Sequence, residues 1–165
     1  MPEGISDTQR SALDLTVAAI TGTGAPGTSF AGQSVDGGDA IVGTNGATAS
    51  ARGLLVAGIA SVELVKSVVL RDPFGGTSAV PGTIATFSIA ARIIGSGTVN
   101  GLIVTDAISD GTTYLPGTLV LDTDTLRDAE DGDAGSASGN AGISVNLGDL
   151  SAPVEHSISF DVVID

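Results

Sequence analysis

The segment SISFDVVID, residues 157–165, decides the fold of this chain. Its apolar residues recur at every second position, which is the period of a β-strand with one buried face. A matching alternation runs through residues 83–94. The sequence therefore predicts two long core strands. Their inward-facing side chains are Ala85, Phe87, Ile89, Ala91 and Ile93 on the first strand, and Ile158, Phe160, Val162 and Ile164 on the second.

Short strands are predicted along the rest of the chain. Runs rich in Val, Ile and Thr alternate with turns that contain Gly or Pro, and 24 of the 165 residues are glycine. This pattern predicts an all-β fold, an immunoglobulin-like antiparallel sandwich with an N-terminal β extension. Residues 54–66 also fit a helix, but Gly53 and Gly58 punctuate that stretch and favour a strand.

Composition limits the classes of function. Nineteen acidic residues against six basic ones give a net charge of −13, so no basic surface is expected for nucleic acid or for an anionic membrane. No apolar run reaches membrane-spanning length, and we expect no membrane insertion. The chain has no cysteine, which excludes disulfides and thiolate chemistry. The polar residues 1–10 do not resemble a secretory signal peptide.

A second amphipathic strand lies at the beginning of the sequence. Leu13, Leu15, Val17 and Ala19 fall on one face of the predicted strand, with polar residues between the first three of them. The sequence predicts an N-terminal extension over residues 1–22 and a sandwich over residues 23–165.

A series of short motifs runs in order through residues 64–165. The motifs are Leu64-Val65-Lys66-Ser67, Val80-Pro81-Gly82-Thr83, Gly95-Ser96-Gly97, Val104-Thr105-Asp106, Thr113-Tyr114-Leu115-Pro116-Gly117, Leu147-Gly148-Asp149-Leu150 and Ile158-Ser159-Phe160-Asp161-Val162. The series resembles the conserved-repeat domain of bacterial and archaeal surface proteins, the domain-of-unknown-function-eleven family. The resemblance implies a secreted, extracellular immunoglobulin-like domain that serves as a spacer, a stalk or an assembly unit.

One departure from the resembled family is informative. Family members continue beyond the strand that carries Phe160, with a Pro/Gly turn and a final alternating strand. Here a similar piece, Pro2-Glu3-Gly4 followed by residues 13–19, precedes the domain instead. This strand either folds back onto its own sandwich, belongs to a neighbouring domain, or completes the sandwich of another copy by β-augmentation.

The third alternative gives the predicted function. The chain is expected to be a pilus-like structural subunit of an extracellular, cell-surface filament, not an enzyme, and its partner is a second copy of itself. The donor strand carries Leu13, Leu15, Val17 and Ala19. The expected acceptor groove is lined by Ile158, Phe160, Val162 and Ile164.

An acidic, glycine-rich loop supports an alternative function. Asp128, Glu130, Asp131 and Asp133 offer the oxygen ligands that calcium prefers, although their spacing does not match an EF-hand. They form either a solvated acidic turn or the calcium site of an adhesin or carbohydrate-binding module. No other cofactor is expected.

Histidine, tyrosine and lysine each occur once in the sequence. His156 is expected on the solvent face of the last strand, without a catalytic role, and Tyr114 is expected to bond back to a strand end as in a tyrosine corner. Lys66 is the only lysine. It is either an ordinary strand residue or the partner of Asp106 in a side-chain cross-link.

Overall fold

The computed structural model describes residues 4–18, 24–44, 46, 48–139 and 141–165. These residues form thirteen β-strands and no helix, and so include no helix of the length and apolarity that crossing a membrane requires. Every pairing between named strands is antiparallel. The predicted all-β class is confirmed.

The chain divides into two compact units. Gln9–Val56 forms the smaller, which we call the ribbon unit, and Met1–Thr8 with Ala57–Asp165 forms the larger, the core unit. The boundary predicted after residue 22 lies inside the ribbon unit, so the N-terminal strand shares its unit with the residues that follow it.

The ribbon unit is built around one long strand pair. β1 (Arg10–Ala18) pairs with β4 (Thr48–Val56) over nine residue pairs. The loop between them carries the two-residue strands β2 (Ser29–Phe30) and β3 (Ala40–Ile41), which pair with each other. The predicted donor strand is therefore half of a two-stranded sheet, called the ribbon below.

The core unit contains a six-stranded sheet in the order β10-β9-β13-β6-β5, with β8 also pairing with β13. The two alternating segments that decided the fold are neighbours in this sheet, and Phe160 lies directly opposite Phe87. The strands are β5 (Ala60–Arg71), β6 (Ile84–Gly95), β8 (Thr112–Tyr114), β9 (Val120–Leu121), β10 (Asp124–Thr125) and β13 (Val154–Ile164).

A three-stranded sheet accompanies it, in the order β11-β12-β7. Its strands are β7 (Thr98–Asp106), β11 (Gly135–Ser138) and β12 (Gly142–Ser151). The register between β7 and β12 shifts between Asn146 and Gly148 and again between Gly148 and Leu150. Such irregularities increase strand twist locally.

One hydrophobic core joins the two sheets. Phe160 is 1% exposed, and its ring stacks on Phe87 with centroids 5.5 Å apart. Aliphatic side chains fill the remaining space, as the scarcity of aromatic residues requires. The buried members are Ala85, Ile89, Ala91, Val104, Tyr114, Leu119, Leu126, Ile143, Val145, Ile158, Phe160 and Val162.

The turn after β6 is a close junction of backbone segments. Gly95 has φ +108°, and a Cβ there would meet the carbonyl oxygen of Ile59 at 2.1 Å, so only glycine fits. The carboxylate of Asp7 accepts hydrogen bonds from the Ile59 amide, at 2.8 Å, and from the Ser96 hydroxyl. These hydrogen bonds attach the Asp7 segment to the core unit.

The core predicts the cost of removing its largest side chain. Phe160→Ala should lower the free energy of unfolding by about 3–5 kcal/mol, because the cavity it leaves cannot collapse fully between two sheets. Phe74→Ala is the matched control, since that side chain is 90% exposed and its loss should change stability by less than about 0.5 kcal/mol. Urea denaturation measures both values, and equal effects would contradict the assignment of the core.

Candidate assembly surface

The six-stranded sheet ends in a long unpaired edge. β5 pairs with β6 from Ala60 to Arg71, and no other strand in the described part of the chain pairs with β5. The backbone groups along the second edge of β5 are therefore available to another strand. An edge of this length is a template for strand addition.

The apolar layer continues onto β5 but is uncovered there. Residues directly opposite each other in an antiparallel pair share a face, so Leu64 lies on the same face as buried Ala91, and Val68 on the same face as Phe87. Leu64 is nevertheless 54% exposed and Val68 49% exposed, whereas Ala91 is fully buried. The core-facing side of β5 is thus apolar and open to solvent.

The three-stranded sheet also ends at this side. In the described residues β7 pairs only with β12, and the Asp106 carboxylate of β7 contacts the Lys66 ammonium of β5. The two sheets therefore leave one side of the core unit bounded by two edge strands. We call it the open side; its apolar core-facing residues on β5 are Val62, Leu64, Val68 and Leu70.

The residues predicted to line an acceptor groove lie elsewhere. β13 is an inner strand, paired with β6 on one edge and with β8 and β9 on the other. Ile158, Phe160 and Val162 are at most 1% exposed, and Ile164 is half-buried. The alternation of β13 marks the middle of the core rather than a groove, and the exposed apolar positions are two strands away, on β5.

The ribbon carries a matching apolar surface. Leu13, Leu15 and Val17 share one face with Gly53, Ala51 and Ala49, which lie opposite them on β4, and with Leu55, which lies opposite Ser11. The first three side chains are 61%, 60% and 58% exposed. Ala19, the fourth residue of the predicted donor strand, lies outside the described residues. We call this surface the apolar ribbon face.

The other face of the ribbon is more polar, although Ala12, Leu54 and Val56 lie at one end of it. Asp14 and Arg52 lie opposite each other and form an exposed ion pair at 3.3 Å, beside Thr16 and Ser50. A two-stranded sheet with one uncovered apolar face is marginally stable by itself in water. The ribbon therefore gains stability when its apolar face is covered.

Charge is distributed unevenly between these strands and the rest of the chain. Strands β1, β4 and β5 contain Arg10, Arg52, Lys66 and Arg71, which are four of the six basic residues, but only two of the nineteen acids. The remaining surface is strongly acidic. Two copies of the chain repel each other least where these strands meet.

Three of the four acids predicted to bind calcium have hydrogen-bond or ion-pair partners in the structure. Asp128 accepts hydrogen bonds from the Tyr114 hydroxyl at 2.7 Å and from the Gly117 amide at 2.8 Å. Asp131 forms an ion pair with Arg127, and Asp133 accepts from the Arg127 and Gly135 amides; Glu130 is exposed.

These contacts order the loop. The backbone hydrogen bonds from Arg127 and Gly135 hold the pKa of Asp133 below its usual value. Across the described ranges, no three acidic or histidine side chains gather in a way that would hold a metal ion. The structure does not bring the four predicted ligands together.

Two expectations about single residues are wrong. Tyr114 bonds to the Asp128 carboxylate rather than to the backbone of a strand end. His156 shares the core-facing side of β13 with Ile158 and is half-buried, and its Nδ1 lies 2.8 Å from Asp122. The Ser157 amide and then His156 hold the pKa of Asp122 below its usual value.

Comparison with protein-family models, with curated proteins and with solved structures finds no match to this chain.

Burial of Tyr114 and its bond to Asp128 raise its pKa to about 12. The folded chain thus holds this proton more tightly than the unfolded chain, in which tyrosine titrates near pH 10. The contribution to stability is complete below about pH 10 and is lost as the pH rises towards 12. Tyr114 is the only tyrosine, so tyrosinate absorbance reports its titration alone. A midpoint near 10 in the folded protein would contradict this, and Tyr114→Phe should lack this component of the alkaline loss of stability.

Proposed function

We propose that this chain is a structural subunit of an extracellular, cell-surface filament. In the proposed assembly, the ribbon of one copy covers the open side of the next. The observation that carries the proposal is that one chain exposes both an apolar ribbon face and an unpaired edge strand with an apolar core-facing side. The ribbon of a second copy can cover the open side, and the open side of another copy can cover the apolar ribbon face.

Backbone hydrogen bonding favours the ribbon of a second copy as the partner of the open side. β5 offers an unpaired edge of twelve residues, and the ribbon strands are each nine residues long. A ribbon strand added to the edge of β5 or β7 extends a sheet by main-chain hydrogen bonds, while its alternate side chains enter the apolar layer. β1 can do both, since it is an extended strand and its apolar side chains alternate with polar ones.

Burial of apolar side chains supplies the free energy of the proposed assembly. Each Val or Leu side chain contributes about 1.5–3 kcal/mol when it is buried completely. Leu13, Leu15 and Val17 are about three-fifths exposed, so covering them contributes about 3–5 kcal/mol, and the exposed residues of β5 add to this. The ribbon is already paired before it binds, which lowers the entropic cost of ordering it.

The geometry of the contact determines the kind of assembly. The ribbon and the open side are different surfaces, so the contact is heterologous and each added subunit presents a new open side. Such an interface generates an open fibre where the rotation between subunits does not close a ring. The acidic remainder of the surface keeps fibres soluble and apart from one another.

The sequence motifs favour an extracellular location for the proposed filament. The all-β fold, the predicted immunoglobulin-like sandwich and the resemblance to repeat domains of bacterial and archaeal surface proteins favour a secreted, non-enzymatic role. A subunit that works by strand addition requires no catalytic group, no metal and no disulfide.

A charge placed on the apolar ribbon face should prevent assembly. Leu15→Asp places a carboxylate in the apolar contact, at a cost that exceeds the gain from burying the ribbon. The matched control is Thr16→Asp, which adds the same charge to the neighbouring, polar face of the same strand. Negative-stain microscopy and light scattering should show fibres for the native chain and for Thr16→Asp, and dispersed protein for Leu15→Asp. Fibres of Leu15→Asp, or none from the native chain, would overturn the proposal.

The open side has its own test. Leu64→Asp changes a core-facing position of β5, whereas Ser67→Asp changes an exposed position on the outward face of the same strand. Only the first should abolish fibres. Mixing Leu64→Asp with Leu15→Asp pairs an intact ribbon with an intact open side, so the mixture should form a one-to-one dimer and stop. Sedimentation would contradict head-to-tail assembly if the mixture stayed monomeric or polymerised.

A further inference from the structure

The contact between Lys66 and Asp106 lies in the layer between the two sheets. Lys66 is opposite Ile89 in the register of β5 and β6, and Asp106 is opposite Ile143 in the register of β7 and β12. Both isoleucines are buried, at 4% and 2% exposure. Among the described residues this is the one ion pair that joins the two sheets.

The immediate surroundings of the pair are apolar. Lys66 Nζ lies 2.5 Å from Asp106 Oδ2, 4.2 Å from the ring centroid of Phe87 and 6.0 Å from that of Phe160. Oδ2 is buried, and no described group, Lys66 included, donates a hydrogen bond to it with acceptable geometry. The two groups are in contact, but the oxygen is not satisfied as an acceptor.

An ion pair in this position is costly. The Lys66 side chain is 41% exposed, so the cost falls on the carboxylate, whose side chain is 19% exposed. Burying a charge is repaid only where good geometry and further hydrogen bonds satisfy it. Here the aromatic ring beneath Nζ positions the ammonium group, but Oδ2 receives no hydrogen bond. Any reaction that converts both groups into one neutral group removes this cost.

We propose that the side chains of Lys66 and Asp106 condense into an amide within one chain. A proton first passes from Nζ to the carboxylate, which gives an amine and a carboxylic acid. The amine nitrogen forms a bond to Cγ, and one carboxyl oxygen leaves as water with two protons from the pair. Ammonium and carboxylate thus give an amide and one water, without an oxidant, a reductant or another reactant.

The fold holds the two reacting groups in contact, whereas free side chains in solution meet only rarely. Groups held in contact react as if at effective concentrations of about 10⁵–10⁸ M when their orientation is favourable. The water released leaves through the open side, where the Lys66 side chain is 41% exposed. The product links the two edge strands that bound the open side.

The amide has a structural consequence of its own. It closes a loop of about 40 residues between β5 and β7, which restricts the unfolded chain as a disulfide would. The chain has no cysteine, so this link holds the sheets together without redox chemistry. It forms within one subunit and therefore does not depend on the proposed filament.

The intact mass, amine labelling and proteolysis test the amide. The intact denatured chain, from both dispersed and assembled protein, should weigh one water less than its sequence. Lys66 is the only lysine, so an amine-reactive reagent should then label only the N-terminal amine. Proteolysis should release a branched peptide containing residues 66 and 106. Full sequence mass and a labelled Lys66 in both preparations would overturn the inference.

Variants separate the amide from the ion pair. Lys66→Arg keeps the positive charge but should retain full mass, and Asp106→Ala should do the same. Asp106→Asn should lose one ammonia instead of one water and give the same product mass as the native chain. A loss of water from Lys66→Arg would place the modification elsewhere and contradict the proposal. The amide forms only in a folded chain, so far-UV circular dichroism should first show that each variant retains the β-sheet content of the native chain.

Discussion

An apolar layer between two sheets is stable only where both sheets extend over it. In this molecule the layer is well covered at β13 and β6, where Phe160 and Ala91 are buried, and it continues onto β5, where Leu64 and Val68 are about half exposed. This mismatch between the apolar side chains and the cover available to them accounts for the other surface features. It leaves the core-facing side of β5 uncovered beside an unpaired edge, which is the site of the proposed strand addition, and it leaves the Lys66–Asp106 pair at the boundary between core and solvent.

The distribution of charge follows the same constraint. A chain with a net charge of −13 resists self-association unless its contact surfaces are spared. The acids are concentrated in turns and loops, where Asp72 accepts bonds from the Phe74, Gly76 and Ser78 amides and the acids near residue 130 order their own loop. The ribbon strands and β5 contain most of the basic residues. Acidic loops thus shape the monomer, and the strands without an acidic excess remain suited to contact.

Alternation in the sequence predicts which side chains share a face, and it does so correctly for β6, for β13 and for Leu13, Leu15 and Val17. It does not predict which strand pairs with which, because strand partners are chosen by long-range packing. The pairing of β1 with β4 and the central position of β13 were therefore missed. For His156 the period of two indicates the core-facing side, since this residue lies two positions from Ile158, and the expectation of a solvent-facing side chain is wrong. The bond from Tyr114 to Asp128 could not be predicted, because composition does not show which carboxylate accepts a hydrogen bond from a distant hydroxyl.

Because β1 pairs with β4, the proposed assembly donates a two-stranded ribbon instead of a single strand. A single donated strand would be ordered only on binding, at a cost of about 1–2 kcal/mol for each residue fixed. In the ribbon that order is already present, because nine residue pairs hold the strand extended and set Leu13, Leu15 and Val17 on one face. The Asp14–Arg52 ion pair then lies on the opposite, more polar face, which is directed to solvent in the proposed assembly. In that assembly the preformed ribbon turns a marginal two-stranded sheet into a specific contact, and the subunit that it covers stabilises it.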